Sequence, residues 1–326
     1  MEASAPLVFA LEPGAAFGDG VAAALGTTRA PHEERAFEDG EHKLRPLTGV
    51  AGGDVFVVHS LHGGGGQSAN DRLCRLLFFV ATLRDHRAAR VTVVCPYLAY
   101  GRKDRRTKWH DPVTTRYIAQ LFEAVGTDRV AVLEPHNPAA FENAFRIPAL
   151  ALHARRPLLD ALLAGDCEPP FAVVSPDTGG AKRAAAFREA LAARTGHEPG
   201  TAFLDKQRSE GRVTGDTVAG DVRGRTAIVI DDLIAGGTTA LRAAHACRER
   251  GASAVHVVVT HGLFADGAER LFADAPIDRL LLTDSVGARM QDRWGRGVES
   301  VSVQPLMADV IDALHRDASV SAALGG

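Results

Sequence analysis

Short apolar runs rich in β-branched residues recur along the chain: PLVFALE, DVFVVHS, RVTVVCPYL and RVAVLEP, then FAVVSP, TAFLDK, TAIVIDD, AVHVVVTH and RLLLTDS. Runs with almost no polar alternation mark strands covered on both faces, as in parallel sheets. Helical spacing fills the gaps. Asp111 and Pro112 read as a cap and first residue. After them Tyr117, Ile118, Leu121, Phe122 and Val125 form one apolar stripe, and Ala240, Ala243, Ala244 and Cys247 form another. The pattern runs twice, over about 1–150 and again from Phe171, with HARRPLLDALLAGDCEPP read as the connection. Each half contains a strand, a small-residue loop and a helix, DVFVVHSLHGGGGQSANDRL and TAIVIDDLIAGGTTALRA, as expected of a duplicated open α/β sheet.

A chain of 326 residues favours two domains over one core. With 46% hydrophobic and 24% charged residues, the composition is that of a water-soluble globular protein. A net charge of −3 gives no electrostatic reason to expect nucleic acid or an anionic membrane as partner. The N-terminal stretch lacks the pattern of a signal peptide, and no apolar run approaches the ~20 residues of a membrane span. Cys74, Cys95, Cys167 and Cys247 are scattered without a C-x-x-C pair, which points to buried free thiols and a reducing cytoplasm.

In open α/β sheets ligands bind beyond the carboxyl ends of the strands. The polar residues at such ends are the candidates: His59, the run after Tyr100, His136, Asp177, Lys206 with Arg208, and Asp231–Asp232. Neither G-x-x-x-x-G-K-[ST] nor a G-x-G-x-x-G after a strand is present, which excludes a P-loop NTPase and argues against a dinucleotide fold. Singly, most of these residues have ordinary explanations, such as a solvated basic run or a hairpin turn at DGE. His59 receives no role. The acid pair is harder to dismiss, because adjacent carboxylates at a buried strand end cost free energy unless something uses them.

Taken in order, FEDGEHKLRP, ANDRL, the PYLAYGRKDRR region through VLEPH, VVSPDTGGAKRA, LDKQRS, IVIDDLIAGGTT, VTHGLF and VSVQPLMADVIDALHRDASVS resemble the ribose-phosphate pyrophosphokinase family over almost the full length. That resemblance implies an α/β fold of two tandem type I phosphoribosyltransferase-like domains with mainly parallel sheets flanked by helices. The ATP-side domain would span 1–153, joined by the C-terminal helix 307–326, and the ribose 5-phosphate-side domain 154–306. It implies transfer of the pyrophosphoryl group of ATP to O1 of ribose 5-phosphate, with Mg2+ as cofactor.

Residue by residue, the resemblance implies that Phe37, Asp39 and Glu41 hold adenine from a neighbouring subunit, and that Arg102, Lys103, Asp104 and His136 face ATP. Lys103 replaces the usual glutamine. His136 and Asp177 match positions associated with Mg2+. Lys206 and Arg208 match mobile-loop cations of the transition state, with Gln207 in place of one arginine. Asp231 and Asp232 would take the ribose hydroxyls, and Ala235, Gly236, Gly237, Thr238 and Thr239 the 5-phosphate. That turn departs from the family's D-T-x-G-T: an acid is lost, the first threonine is Gly236, and the usual glycine is Thr238. Carboxylates and backbone donors thereby suit opposite ends of one sugar phosphate. The family also implies self-association as a dimer or hexamer. Two rival readings stand beside this one, a phosphoribosyltransferase that consumes the product and a non-catalytic synthetase-like regulatory subunit.

Overall fold

The computed structural model describes residues 5–209, 212–265, 268, 272, 274–287 and 298–325, with backbone alone within 205–217. The chain divides into two units, Met1–Ala154 with Val303–Gly326, and Arg155–Ser302.

In the first unit β1 (Leu7–Ala10) leads to α1 (Ala15–Ala24) and the hairpin β2 (His32–Ala36) and β3 (His42–Pro46). Then come β4 (Asp54–Val58), α2 (Ala69–Asp85), β5 (Arg90–Cys95), α3 (Thr114–Ala124), β6 (Arg129–Leu133), α4 (Pro138–Ala144) and β7 (Ala149–Leu152). The sheet runs β1-β4-β5-β6-β7, parallel throughout. Val55, Phe56, Val57 and Val58 are all buried, which is why the run carries no polar alternation. Leu76, Phe79, Val80 and Leu83 of α2 share a core with Val55, Val57, Val91 and Val93.

In the second unit α5 (Arg155–Ala164) precedes β8 (Phe171–Ser175), α6 (Ala181–Thr195), β9 (Gly200–Ser209), β10 (Arg212–Ala219), β11 (Thr226–Ile234), α7 (Thr238–Glu249), β12 (Ala254–Gly262), β13 (Arg279–Thr283) and β14 (Val298–Val301). The sheet order is β10-β9-β8-β11-β12-β13-β14, with β10 its antiparallel member. The succession β8-β11-β12-β13-β14 repeats β1-β4-β5-β6-β7, and a β-hairpin follows the first helix of each sheet.

Three details differ from the expectations. HARRPLLDALLAGD is not a bare connection, because α5 forms within it and buries Leu158, Leu159 and Leu162. Asp111 does not cap α3: its carboxylate accepts from Lys103 Nζ, Thr107 N and Lys108 N, and the helix starts at Thr114 without a side-chain cap. The Lys103 bond and the loop donors hold Asp111 well below the usual carboxylate range. Within the α3 stripe Ile118 and Phe122 are buried, whereas Tyr117 and Leu121 face outward.

The C-terminal helix α8 (Gln304–His315) returns to the first unit, packs on α1 and is followed by α9 (Ser321–Leu324). Its attachment centres on Asp54, which accepts from Arg90 Nε at 2.8 Å and Nη2 at 2.6 Å and lies 2.8 Å from His315 Nδ1. Burial works to raise Asp54, but the bonds from Arg90 and His315 prevail and hold it below its ordinary pKa. Its stabilisation is therefore present at neutral pH and lost as pH falls through that lowered value. Asp54→Asn, which removes the carboxylate shared by Arg90 and His315 while Arg90 keeps Asp317, should cost about 1.5–3 kcal/mol and be read as a lower Tm.

Candidate active site

The second unit carries the acid pair. Asp231 and Asp232 end the apolar core of β11, with Asp232 buried and Asp231 half-buried. Asp231 Oδ1 accepts from the Asp232 backbone N–H at 2.9 Å. Burial and the neighbouring Asp232 carboxylate push Asp231 well above the usual carboxylate range, and Arg183 opposes them. Arg183 Nη1 lies 3.7 Å from Asp231 Oδ1 and 3.6 Å from Asp232 Oδ1. Arg183 stands on the first turn of α6, directly after SPDTGG, and carried no role in the sequence reading. A cation two residues into a helix that follows a strand-end loop was the available signal.

Beyond the acids the chain turns through Ala235–Gly237 into α7. Gly237 takes φ +83 at the N-cap, so Thr238 begins the helix in ordinary helical backbone. Among the described residues no side chain caps this N-terminus, and Gly236, Thr238 and Thr239 are exposed. Unpaired N–H groups and the helix dipole make such a turn receptive to an anion. A Cβ at Gly237 would stand 2.3 Å from Cε2 of the buried Phe272. Gly237→Ala must therefore leave the left-handed backbone or displace that ring. Strain of this kind costs on the order of 1–3 kcal/mol, and a lower Tm is expected for the variant in a thermal melt.

The first unit answers differently at the matching place. Counted from the paired starts Asp54↔Arg90 and Thr226↔Ala254, His59 and Ser60 occupy the positions of Asp231 and Asp232. Burial drives His59 down to about 3, so it is a neutral imidazole. The following helix is closed by its own capping box: Asp71 Oδ2 accepts from Ser68 N at 2.7 Å, and Ser68 Oγ accepts from Asp71 N at 3.2 Å. Arg72 is buried below, donating to the Ser60 and Gly64 carbonyls at 3.0 and 2.8 Å. The helix N-terminus of the first unit is thus capped from within, unlike that of α7.

Two other motifs prove structural. Asn70 of ANDRL accepts from the Tyr100 hydroxyl, which ties α2 to the segment before Arg102. His261 of VTHGLF lies buried with Nδ1 2.9 Å from Ser285 Oγ.

The candidate ATP residues of the first unit form two groups. FEDGE is the β2–β3 turn, with Phe37, Asp39 and Glu41 exposed. Asp39 Oδ1 accepts from Glu41 N at 3.0 Å, and the Arg35 guanidinium lies 5.0 Å over the Phe37 ring. Arg102 is exposed, and Asp104 Oδ2 accepts from Asn137 Nδ2 at 2.6 Å, which brings this segment to the exposed His136. Lys103 is occupied within its own loop, donating to Thr107 Oγ1 at 3.0 Å as well as to Asp111. Among the described residues no hydrogen bond joins the FEDGE turn to this second group.

Asp177 lies exposed in the turn before α6, where its Oδ1 accepts from Gly180 N at 3.0 Å. Lys206 and Arg208 are on β9, opposite Asp216 and Val213 of β10. The backbone here is a paired hairpin. Pairing of β9 with β8 ends at Phe203↔Ser175, so the hairpin runs on past the carboxyl edge of the sheet. Among the described residues no three of His, Cys, Asp or Glu gather to hold a metal ion, and no helix is long and apolar enough to cross a membrane. The four cysteines are free, and burial lifts the Cys95 and Cys247 thiols to about 12 and Cys167 to about 11.

Residues 7–126 match the family described as the N-terminal domain of ribose phosphate pyrophosphokinase, and residues 207–324 match the phosphoribosyl synthetase-associated domain. The ribose-phosphate pyrophosphokinase of Listeria ivanovii is 31% identical over 315 residues, covering 96% of this chain and 95% of that protein. That of Parasynechococcus marenigrum is 34% identical over 303 residues, covering 92% and 88%. The crystal structure of phosphoribosylpyrophosphate synthetase from Mycobacterium smegmatis superposes with a TM-score of 0.86 at 28% identity, covering 96% of this chain and 99% of that one. Matched at 31% and 34% identity over more than nine-tenths of its length, the chain belongs to the ribose-phosphate pyrophosphokinase family.

Proposed function

We propose that the protein is a ribose-phosphate diphosphokinase, which transfers the β,γ-pyrophosphoryl group of ATP to ribose 5-phosphate. The O1 hydroxyl attacks the β-phosphorus, the bond from that phosphorus to the α,β-bridging oxygen breaks, and AMP leaves with that oxygen. The observation that carries this reading is the pairing, in the second unit, of two buried carboxylates with an uncapped helix N-terminus one turn away. Asp231 and Asp232 accept from the ribose hydroxyls, and the amides of the Ala235–Thr239 turn take the 5-phosphate.

Arg102, Asp104 and His136 serve ATP, and Phe37, Asp39 and Glu41 serve adenine across a contact between copies of the chain. The exposed ring of Phe37, 39% accessible and backed by Arg35, suits a stacking role toward a base. Lys103 serves ATP beside Arg102, and its bond to Asp111 keeps the Arg102–Asp111 segment in shape. His136 and Asp177 would be the protein ligands of Mg2+, which would supply charge neutralisation at the ATP phosphates. Both side chains are exposed, and one imidazole with one carboxylate leaves room for the waters and phosphate oxygens that this cation keeps. Lys206 and Arg208 neutralise charge as the pyrophosphoryl group moves. Self-association as a dimer or hexamer and a cytoplasmic location complete the reading.

The deciding assay offers ATP, Mg2+ and a panel of pentose phosphates, with no nucleobase present, and measures AMP. Stoichiometric AMP and a phosphoribosyl pyrophosphate product are expected with ribose 5-phosphate. Product that forms only when a base is added would favour a phosphoribosyltransferase instead.

A further inference from the structure

Arg183 belongs to α6, yet its guanidinium reaches the two acids at the end of β11. The same nitrogen, Nη1, is within 3.7 Å of Asp231 Oδ1 and 3.6 Å of Asp232 Oδ1. All three side chains are largely withdrawn from water, at 18%, 19% and 5% accessibility. The turn that launches α6 is shaped for this approach. Ser175 Oγ donates to the Asp177 carbonyl at 2.6 Å, and Asp177 Oδ1 receives the Gly180 N–H at 3.0 Å. Gly180 has no room for a side chain, since a Cβ there would stand 2.8 Å from Ser175 Oγ and 3.8 Å from Arg183 Nη1. One short turn thus presents Asp177 on its outside and delivers a cation to the acid pair.

We propose that Arg183 is a positioning residue of the ribose 5-phosphate site, whose cationic Nη1, seated against both Asp231 and Asp232, holds the two carboxylates at the spacing and charge that accept the sugar hydroxyls. The proposal rests on the diphosphokinase reading and adds to it a residue on a different element from the acids. Two buried carboxylates repel each other, and a cation common to both removes the incentive for either side chain to turn away. Because a single nitrogen meets both acids, a point charge at that spot suffices, and lysine is the conservative replacement.

The test is steady-state kinetics of Arg183→Gln and Arg183→Lys with each substrate varied in turn. Arg183→Gln is expected to raise KM for ribose 5-phosphate by about tenfold or more, with KM for ATP and Tm close to those of the parent. Arg183→Lys is expected to return KM for the sugar phosphate to within about threefold. An unchanged sugar-phosphate KM in Arg183→Gln would overturn the proposal, as would an equal rise for ATP. A lysine variant no better than the glutamine variant would overturn it too.

Should Arg183→Gln fail to fold, the pair Asp232→Asn and Asp232→Asn/Arg183→Gln keeps the question open to decision. With one acid neutralised, loss of the arginine should add little, and a further rise of about tenfold or more in the sugar-phosphate KM of the double variant over Asp232→Asn would refute the coupling. Absence of AMP from the parent protein would sink the diphosphokinase reading by itself. Calorimetric binding of ribose 5-phosphate to the same variants, with the same expected ratios, would then still decide the role of Arg183.

Discussion

Lys206→Ala is expected to lower kcat by about 10³–10⁵-fold while leaving Tm nearly unchanged. Lys206 lies three positions beyond Phe203, the last residue of β9 paired to β8. At a rise of about 3.3 Å per residue, that places its backbone roughly 10 Å past the sheet edge. Ala202, Leu204 and Val218 anchor the hairpin in the core, so the anchorage does not depend on Lys206. In phosphoryl transfer a cation that meets charge only as it develops acts on kcat more than on KM. Kinetics and a thermal melt on one preparation check both halves, and an unaltered kcat would remove Lys206 from the mechanism.

The second large effect is expected at Asp231, where binding and stability should move in opposite directions. Asp231→Asn replaces a carboxyl that accepts from a ribose hydroxyl, a bond worth about 0.5–1.5 kcal/mol, so KM for ribose 5-phosphate should rise up to about tenfold. The same change relieves a buried carboxylate beside Asp232, and the unliganded variant should melt higher than the parent. The advantage should depend on pH in a defined sense. Folding raises the pKa of Asp231 above its unfolded value, so above about 3.9 the folded parent holds a proton that the unfolded chain has released. Stability contributed by this group therefore declines as pH rises from there through the raised value. The difference between variant and parent should widen over that interval, as followed by melts from acid to mildly alkaline pH. A change confined to KM for ATP would mean that the acids serve the other substrate.

What was legible in the sequence follows from how each segment is buried. Strands covered on both faces, such as DVFVV and TAIVI, cannot alternate, and their runs stood out. The strands that did not stand out are those with little burial or little length. HEERA and HKLRP pair in a hairpin whose exposed face is charged, ALAL has four residues, VESV forms a sheet edge, and RVTGDTVA is paired on one side. At the site the acids and the glycine turn were legible because both break the apolar pattern at a strand end. The left-handed residue was not placed by pattern alone: the family's glycine position holds Thr238, and Gly237 one step earlier supplies the positive φ. Nor was the bond from Lys103 to Asp111, since Asp-Pro before a helix reads as a cap until the loop's amides are seen to claim the carboxylate. Arg183 was hidden for a similar reason: an arginine on the first turn of a helix looks solvated until the packing of α6 against β11 turns it inward.

The return of α8 to the first unit has a consequence for how the protein is made. The first unit is interrupted by Arg155–Ser302 and is completed by Val303–Gly326. At ribosomal rates of about 5–20 residues per second, the segment after Ala154 takes roughly 10–30 s to emerge. During that interval the surface of α1 destined for α8 lacks Leu306, Met307, Val310, Ile311 and Leu314, and Asp54 lacks His315. The second unit, continuous in sequence, has all its strands before the first is closed. The helix that seals the older half leaves the ribosome only after the whole second unit, so premature termination just beyond Ser302 would release a chain with that unit and an unsealed first one.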